Sequence, residues 1–268
     1  MAVGLRTVGS VERTLSELWR VRAWIVVKTP NAIAGDNSLY GVTCLSATSC
    51  WAVGRSALRQ SSQALIEHWN GTRWTVVPSP NASGDNYLQG VSCPMATMCF
   101  AVGFHYPNGV QPSTLVERWT GTKWVVMSSP NSGTTGTALY GISCVSAVLC
   151  QAAGHRQNGG TEWTTIETWR GARWDVSATP NLGMRSVFSG ISCDQSAECL
   201  AVGATNSGML GRALIERWKG VGWTVVSTPN RVASTNELYA VAKSSPTTWI
   251  AVGESNINGG RTLALIGR

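Results

Sequence analysis

Charge is scarce in this 268-residue chain: Asp, Glu, Lys and Arg make up only 13% of it, against 43% apolar residues. That balance excludes a disordered, charge-rich chain and leaves material for a sizeable core. Long apolar runs are missing too. None approaches the roughly 18 residues of a membrane-crossing helix, so no membrane span is expected, and residues 1–10 lack the apolar stretch of a secretory leader. No segment carries the 3.6-residue apolar period of an amphipathic helix, which disfavours parallel strands joined by helical crossovers. Aspartate occurs four times and histidine three times, the histidines in different parts of the chain. No acid, base and orienting group are brought together by such a pattern, so catalysis has the least support and no cofactor or metal is expected.

What is present is a repeat. The pair Trp69/Trp74 recurs as Trp19/Trp24, Trp119/Trp124, Trp169/Trp174 and Trp218/Trp223, at intervals of 50, 50, 50 and 49 residues, a period that signals blades or solenoid turns. Within the unit 39–81, four short runs rich in Val, Ile, Trp, Tyr and Cys, at 39–44, 50–54, 64–69 and 74–77, are bounded by Gly, Pro, Asn or Ser. They read as strands. The connections are too short for parallel crossovers and suit an antiparallel meander. The glycines of Asn70-Gly71, Thr120-Gly121 and Arg170-Gly171 sit where a tight hairpin needs positive φ. The Pro-Asn pairs at 30–31, 80–81, 130–131, 180–181 and 229–230 stop the ladder after each fourth strand.

The fold expected is therefore an all-β, single-domain β-propeller over 1–268, built from four-stranded antiparallel blades. About 22 strands can be counted, with second and third strands represented once too often. Five blades are favoured, the ring closed by strands from both termini: 238–241 and 249–253 would join 24–27, with 15–19 or 263–266 as the third strand. Six blades with incomplete end blades is the alternative.

All eight cysteines fall in pairs six apart: Cys44/Cys50, Cys93/Cys99, Cys144/Cys150 and Cys193/Cys199. Each pair flanks the first-to-second strand connection, where facing positions of an antiparallel hairpin come within disulfide range. In the last unit Lys243 and Trp249 replace both members together, as a bonded pair requires. Free thiol pairs are the alternative; two thiolates alone do not make a zinc site. Persisting disulfides imply an oxidising, extracellular or cell-surface location.

The composite pattern SC…CxAVG…LIExWNGTxWxVVxxPN resembles a repeat of secreted bacterial propeller proteins, and is loosely similar to kelch repeats in its strand-two glycine and strand-four tryptophan. The resemblance implies a fold and not an activity. The double glycine of kelch is replaced by Ala-Val-Gly at 52–54, 101–103 and 201–203 and by Ala152-Ala153-Gly154.

The repeated units differ most in the second-to-third strand connections, 55–63, 104–113, 155–163, 204–212 and 254–261. Residues there able to stack on or hydrogen-bond a polar ligand are His105, Tyr106, Asn108, His155, Arg156 and Trp163, and they form the candidate site. The Asn-Gly pairs at 108–109, 158–159 and 258–259 also satisfy ordinary turn chemistry. A second repeated feature is a third-strand glutamate with a tryptophan two residues on: Glu67/Trp69, Glu117/Trp119, Glu167/Trp169 and Glu216/Trp218, preceded by Glu17/Trp19. These either pair with Arg73, Lys123 and Arg173 or form repeated sugar sites.

The net charge of +7 gathers at the third-to-fourth hairpins, at Arg20, Arg22, Arg73, Arg118, Lys123, Arg170, Arg173, Arg217 and Lys219. A rim of this kind suits an anionic cell-wall polymer better than nucleic acid, because no stripe forms. A non-catalytic, lectin-like module binding a glycan or cell-surface ligand is the favoured function, with a protein-interaction scaffold as the alternative.

Overall fold

The computed structural model describes residues 1–59, 61–180, 182–195, 197–206, 210–230, 234–256 and 260–267, and every regular element in them is a β-strand. The chain divides into two compact units, Met1–Ser129 and Pro130–Arg268. In the first, β1 (Ala2–Val8), β2 (Val11–Arg20) and β3 (Ala23–Val27) form one sheet. A second sheet holds β4 (Asp36–Ser46), β5 (Ser49–Leu58), β6 (Ser61–Trp69) and β7 (Trp74–Val77). The third holds β8 (Asp85–Met95), β9 (Met98–Tyr106), β10 (Ser113–Trp119) and β11 (Trp124–Met127).

The second unit repeats the meander. One runs through β12 (Gly136–Ser146), β13 (Leu149–Asn158), β14 (Thr161–Trp169) and β15 (Trp174–Ser177), and the next through β16 (Arg185–Cys193), β17 (Cys199–Asn206), β18 (Gly211–Trp218) and β19 (Trp223–Val226). A single parallel bridge, Glu162 to Arg185, links the two into one eight-stranded sheet. The last sheet holds β20 (Thr235–Ser245), β21 (Thr248–Asn256) and β22 (Arg261–Gly267).

The 22 strands match the number counted in the sequence. Strand β3 pairs with β2, Trp19 opposite Trp24, and β22 pairs with β21, Ala251 opposite Leu265. Each end sheet thus keeps its own third strand, because hairpin neighbours pair at little loop-closure cost.

Strand alternation explains how the sheets pack. Along β6, Leu65, Glu67 and Trp69 share one face and Ile66 lies on the other. Leu65, Trp69 and Trp74 join Leu39 and Ala52 in a cluster that takes in Met1, Val3 and Val27 of the first sheet. Ile66, with Val53 and Ala64, packs on Leu88, Ala101, Leu115 and Trp124 of the third. Each Trp pair stacks across the third-to-fourth hairpin, Trp69 and Trp74 at 5.8 Å and Trp119 and Trp124 at 5.9 Å between centroids. The Trp69 indole N–H donates to the Ala47 carbonyl at 3.1 Å, and Trp169 does the same to Ala147 at 3.0 Å, tying the outer hairpin to the first one. Trp19 and Trp24 remain 52% and 51% exposed, on the face of the first sheet turned away from the second.

Local chemistry fixes the turns. Gly71, Gly121, Gly171 and Gly220 all have φ between +84° and +96°. The glycine of each Ala-Val-Gly has another reason: a Cβ at Gly54, Gly103 or Gly203 would strike the backbone carbonyl of Ser38, Tyr87 or Val187 on the adjacent first strand. The Pro-Asn asparagines reach back to the third strand, Asn81 Oδ1 accepting the Ala64 N–H at 2.8 Å and Asn230 Oδ1 that of Ala213 at 2.7 Å. Asn181 lies outside the described residues.

All four cysteine pairs are disulfides, Cys44–Cys50, Cys93–Cys99, Cys144–Cys150 and Cys193–Cys199, with Cα–Cα distances of 3.9–4.0 Å, and no free cysteine remains among the described residues. The second member of each bridge, Cys50, Cys99, Cys150 and Cys199, is buried in the core and offers no surface to a ligand. The cause is register: each stands directly opposite a third-strand tryptophan, Trp69, Trp119, Trp169 and Trp218 in turn, so alternation turns its sulfur inward beside the indole. Cys50, Cys99 and Cys199 accordingly belong to the apolar clusters of their sheets. The bridges are packing elements of the blades.

Trp124 is 4% exposed and fills the space between two sheets. Trp124→Ala is expected to lower stability by about 3–5 kcal/mol through the cavity it opens, read from urea unfolding at constant m-value; a loss under about 1 kcal/mol would contradict this account of the packing.

Candidate functional site

All but Asn108 of the residues singled out in the long connections lie on strands, because β9, β13 and β14 extend further than their apolar runs suggest. In the first unit His105 and Tyr106 end β9; His105 Nδ1 lies 2.8 Å from the Ser83 carbonyl. Tyr106 packs edge-on against Tyr87 and Phe104, which stack on each other at 5.0 Å. Burial, with Tyr87 beside it, pushes the Tyr106 hydroxyl above its usual range. Asn108 is engaged in its turn: Oδ1 accepts the N–H groups of Val110 and Gln111 at 3.2 and 3.0 Å, and Gly109 has φ +74°. The pair 258–259 lies outside the described residues.

In the second unit His155 and Arg156 sit in β13 and Trp163 in β14, with Arg156 directly opposite Trp163. The Arg156 guanidinium lies 5.3 Å from the Trp163 ring centroid. His155 is 6% exposed and stacks on Tyr140 at 5.6 Å. Its Nδ1 has no hydrogen-bond partner among the described residues, and burial lowers its pKa.

Above His155 the strand ends open a cavity of about 300 Å³ lined by Thr135, Gln157, Gly160, Thr161, Glu162, Met184 and Arg185. Gln157 Nε2 stands 3.4 Å from His155 Nε2 and donates to Glu162 Oε1 at 3.3 Å. Arg185 Nε donates to Glu162 Oε2 at 2.6 Å, leaving the rest of its guanidinium toward solvent, with the side chain 63% exposed. Arg185 also lines a smaller neighbouring cavity of about 140 Å³ with Val187, Ser189, Ala204, Asn206 and Glu237. Next to Glu237, Tyr239 donates to its carboxylate at 3.4 Å; burial, with Glu254 and Glu237, raises the phenol well above its usual range.

Of the residues singled out in the sequence, His155 adjoins this place through Gln157, Arg156 and Trp163 alternate to the other face of the sheet, and Gln157, Glu162 and Arg185 were not among them. A signal was present. At the start of the first strand Asp36 and Asp85 accept backbone N–H groups of Glu12 and Ser62 at 2.9 and 2.7 Å, whereas the equivalent residue of the fifth sheet segment is Arg185. Gly136 and Thr235 hold the same position in the other two sheets, so Arg185 is the one basic residue among the five equivalents, and it lines both cavities.

The third-strand glutamates are buried, and the expected ion pairs with arginine and lysine are not what holds them. Glu67, Glu117, Glu167 and Glu216 are all 0% exposed. Arg73 and Lys123 point into solvent, and Arg173 pairs with Asp175 at 2.9 Å. Glu117 accepts a hydrogen bond from Ser79 Oγ at 2.7 Å, while neither carboxylate oxygen of Glu67 or Glu216 has a partner among the described residues. The reason is positional: each carboxyl shares the inward face with Leu65 or its equivalent, whereas the basic residues sit beyond the hairpin. In β22, Leu265 stands at the register position of Glu67, so an apolar side chain suits the same place. The basic rim is real in part: Arg20, Arg22, Arg73, Lys123, Arg170, Arg173 and Lys219 are exposed, while Arg217 is tied to Glu198.

No family model matches the chain, and no curated protein does. Solved structures do. YCF48, bound to a D1 peptide, matches at 11% identity and a TM-score of 0.51, covering 89% of this chain and 70% of that one. XC5397 from Xanthomonas campestris, a gluconolactonase, matches at 10% identity and a TM-score of 0.53, covering 85% and 71%. These neighbours are β-propeller proteins. At such identities the likeness is one of fold.

Burial pushes the carboxyls of Glu67 and Glu216 up to about 8 and that of Glu117 to about 7, from an ordinary 4.5. A raised carboxyl pKa means the folded state binds the proton more tightly than the unfolded chain. The stability this contributes is complete below pH 4.5 and is lost as pH rises through about 8, on the order of 1 kcal/mol per pH unit per group. Glu67→Gln and Glu216→Gln should therefore raise the melting temperature at pH 8.5 and change it little at pH 4.5. Equal shifts at both pH values would show that the carboxyls are charged in the fold.

Proposed function

We propose that this chain is a non-catalytic binding propeller of an exported protein, and that its ligand is a small polyhydroxylated molecule, a sugar or sugar-like group. In this reading each of the six sheet segments is a blade, the two end ones incomplete. The observation that carries the reading is the polar cavity of about 300 Å³ beside the His155–Tyr140 stack. Its lining offers hydroxyls from Thr135 and Thr161, the Gln157 amide, and an Arg185–Glu162 pair that presents fixed donors and acceptors to vicinal hydroxyl groups. Pairing with Arg185 and Gln157 makes Glu162 an orienting acceptor rather than a free acid. Trp163 and Arg156 alternate with Glu162 and Gln157, so their cation–π pair stands on the other face of the same sheet. Export is supported by the four disulfides, which persist only under oxidising conditions.

On an array of immobilised mono- and disaccharides, the protein is expected to retain at least one glycan that the free sugar displaces. Arg185→Ala should weaken that binding by about ten- to thirtyfold, the range for loss of an anchoring polar contact, with the melting temperature unchanged, since the side chain is largely exposed. Trp163→Ala should weaken it less. Retention of no glycan, or normal binding by Arg185→Ala, would overturn the assignment.

A further inference from the structure

Four side chains at the strand ends of the second unit form one hydrogen-bonded chain. Arg185 Nε donates to Glu162 Oε2 at 2.6 Å, Glu162 Oε1 accepts from Gln157 Nε2 at 3.3 Å, and the same Gln157 nitrogen stands 3.4 Å from His155 Nε2. Gln157 and Glu162 are directly opposed on β13 and β14, and His155 precedes Gln157 by two residues, so these three share one face of the sheet. The repeat does not demand the group. The residue after the second-strand glycine is Leu5, Arg55, Phe104, Ala204 or Glu254 in the other sheets, and only here is it an imidazole.

Counting donors and acceptors fixes the state of each member. An amide nitrogen only donates, so its two hydrogens go to Glu162 Oε1 and His155 Nε2, and that ring nitrogen has to accept with its lone pair. Turning the amide over would set its oxygen against the Glu162 carboxylate, acceptor against acceptor. Glu162, itself held by Arg185, therefore selects the amide orientation, and the amide selects the neutral His155 tautomer with its proton on Nδ1. Gln157 then offers the cavity it lines only Oε1, an acceptor. A protonated ring carries a hydrogen on Nε2 as well, pointing at the N–H of the amide. To meet it, Gln157 has to turn over, which breaks the bond to Glu162 and puts a donor where the cavity had an acceptor.

We propose that uncharged His155 is the positioning residue of this cavity: through Gln157 it presents a fixed acceptor to a hydroxyl of the bound sugar, and its protonation withdraws that acceptor and releases the sugar. The inference rests on the reading of the cavity as a sugar site. It also assigns the ligand's chemistry at one point, since the group facing Gln157 has to be a donor. The surroundings favour the neutral ring. His155 is 6% exposed, and burial lowers its pKa, with Glu162 acting in the opposite direction and Arg185 of β16 in the same one. From β12 the titratable side chain against the ring is Tyr140, stacked on it at 5.6 Å. Arg156 and Glu167 alternate to the other face of β13 and β14. A lowered pKa places the change below the ordinary histidine value of about 6.5. Binding is thus complete above the His155 pKa and is lost as pH falls through it.

The test uses the full chain, isotopically labelled. Long-range proton–nitrogen correlation spectra at neutral pH should show His155 protonated on Nδ1 and bare on Nε2, and on acidification the Gln157 side-chain amide signals should shift with the same midpoint as the ring. A neutral ring protonated on Nε2, or amide signals that ignore the titration of the ring, overturns the proposal without reference to any sugar. Binding to the array of immobilised mono- and disaccharides is then followed as a protein concentration series between about pH 7.5 and 5. Affinity for a retained glycan should fall by up to about tenfold per pH unit below the midpoint measured for His155. His155→Gln, whose Oε1 can accept where Nε2 does, should flatten that profile. An affinity unchanged across the midpoint, or a His155→Gln profile as steep as the wild type, overturns this inference and leaves the sugar reading standing. Retention of no glycan at neutral pH overturns both. Should His155→Gln fail to fold, the shared midpoint of ring, amide and affinity in the wild type decides.

Discussion

The cross-strand tryptophan pair is the contact on which the rest of the structure leans. A short fourth strand of four residues, such as β7 or β11, makes too few main-chain bonds to hold itself. Trp69 and Trp74 compensate by stacking across the hairpin, while one indole reaches the first hairpin's carbonyl and the other enters the preceding sheet. Inner hairpin, outer hairpin and sheet-to-sheet packing are thereby coupled through one pair of side chains. Trp74 completes this with an N–H donated to Ser16 Oγ at 3.0 Å. The disulfides act at the same end of the sheet, holding the first hairpin whose carbonyl the indole needs, with Cys50 set directly opposite Trp69.

Against this background the buried glutamates run opposite to stability. Burial pushes the carboxyls of Glu67 and Glu216, which have no hydrogen-bond partner among the described residues, toward the protonated form, and the same register position holds leucine at Leu265. The partner chemistry differs among the repeats in a way that local residues explain. Ser79 sends its hydroxyl to Glu117, whereas Thr29 and Thr179, at the same point before the Pro-Asn turn, bond to Thr14 and Thr164 instead. A threonine on the third strand captures the hydroxyl that would otherwise serve the carboxyl.

Most of the fold was legible in the sequence because the repeat encodes it five times over. Trp spacing, the hairpin glycines, the paired cysteines and the Pro-Asn stops each record a short-range requirement of backbone geometry, and short-range requirements survive in the order of residues. How the end sheets are completed is a matter of long-range pairing, which the order of residues records less directly; β3 and β22 each pair with their hairpin neighbour. For the site, motif reasoning favoured aromatic and histidine residues in divergent connections. His155 and Trp163, taken there for loop residues, stand on β13 and β14, since the alternation of these strands is masked by polar side chains such as Gln157 and Thr164.

What distinguishes the cavity region is a change of role at one recurring geometric position within the chain. Where Asp36 and Asp85 anchor the backbone of the preceding third strand, that strand is fastened by a carboxylate and the start of the next sheet is closed. At Arg185 the backbone does the fastening itself, through the Glu162–Arg185 bridge and the Glu162 N–H donated to the Met184 carbonyl at 3.1 Å. The side chain at that position is consequently released from structural duty. A long cation in place of a short anion then reaches Glu162, holds it in one orientation and borders both cavities. At this position the backbone takes over the bond that the aspartates make elsewhere, and the Arg185 side chain pairs with Glu162 instead.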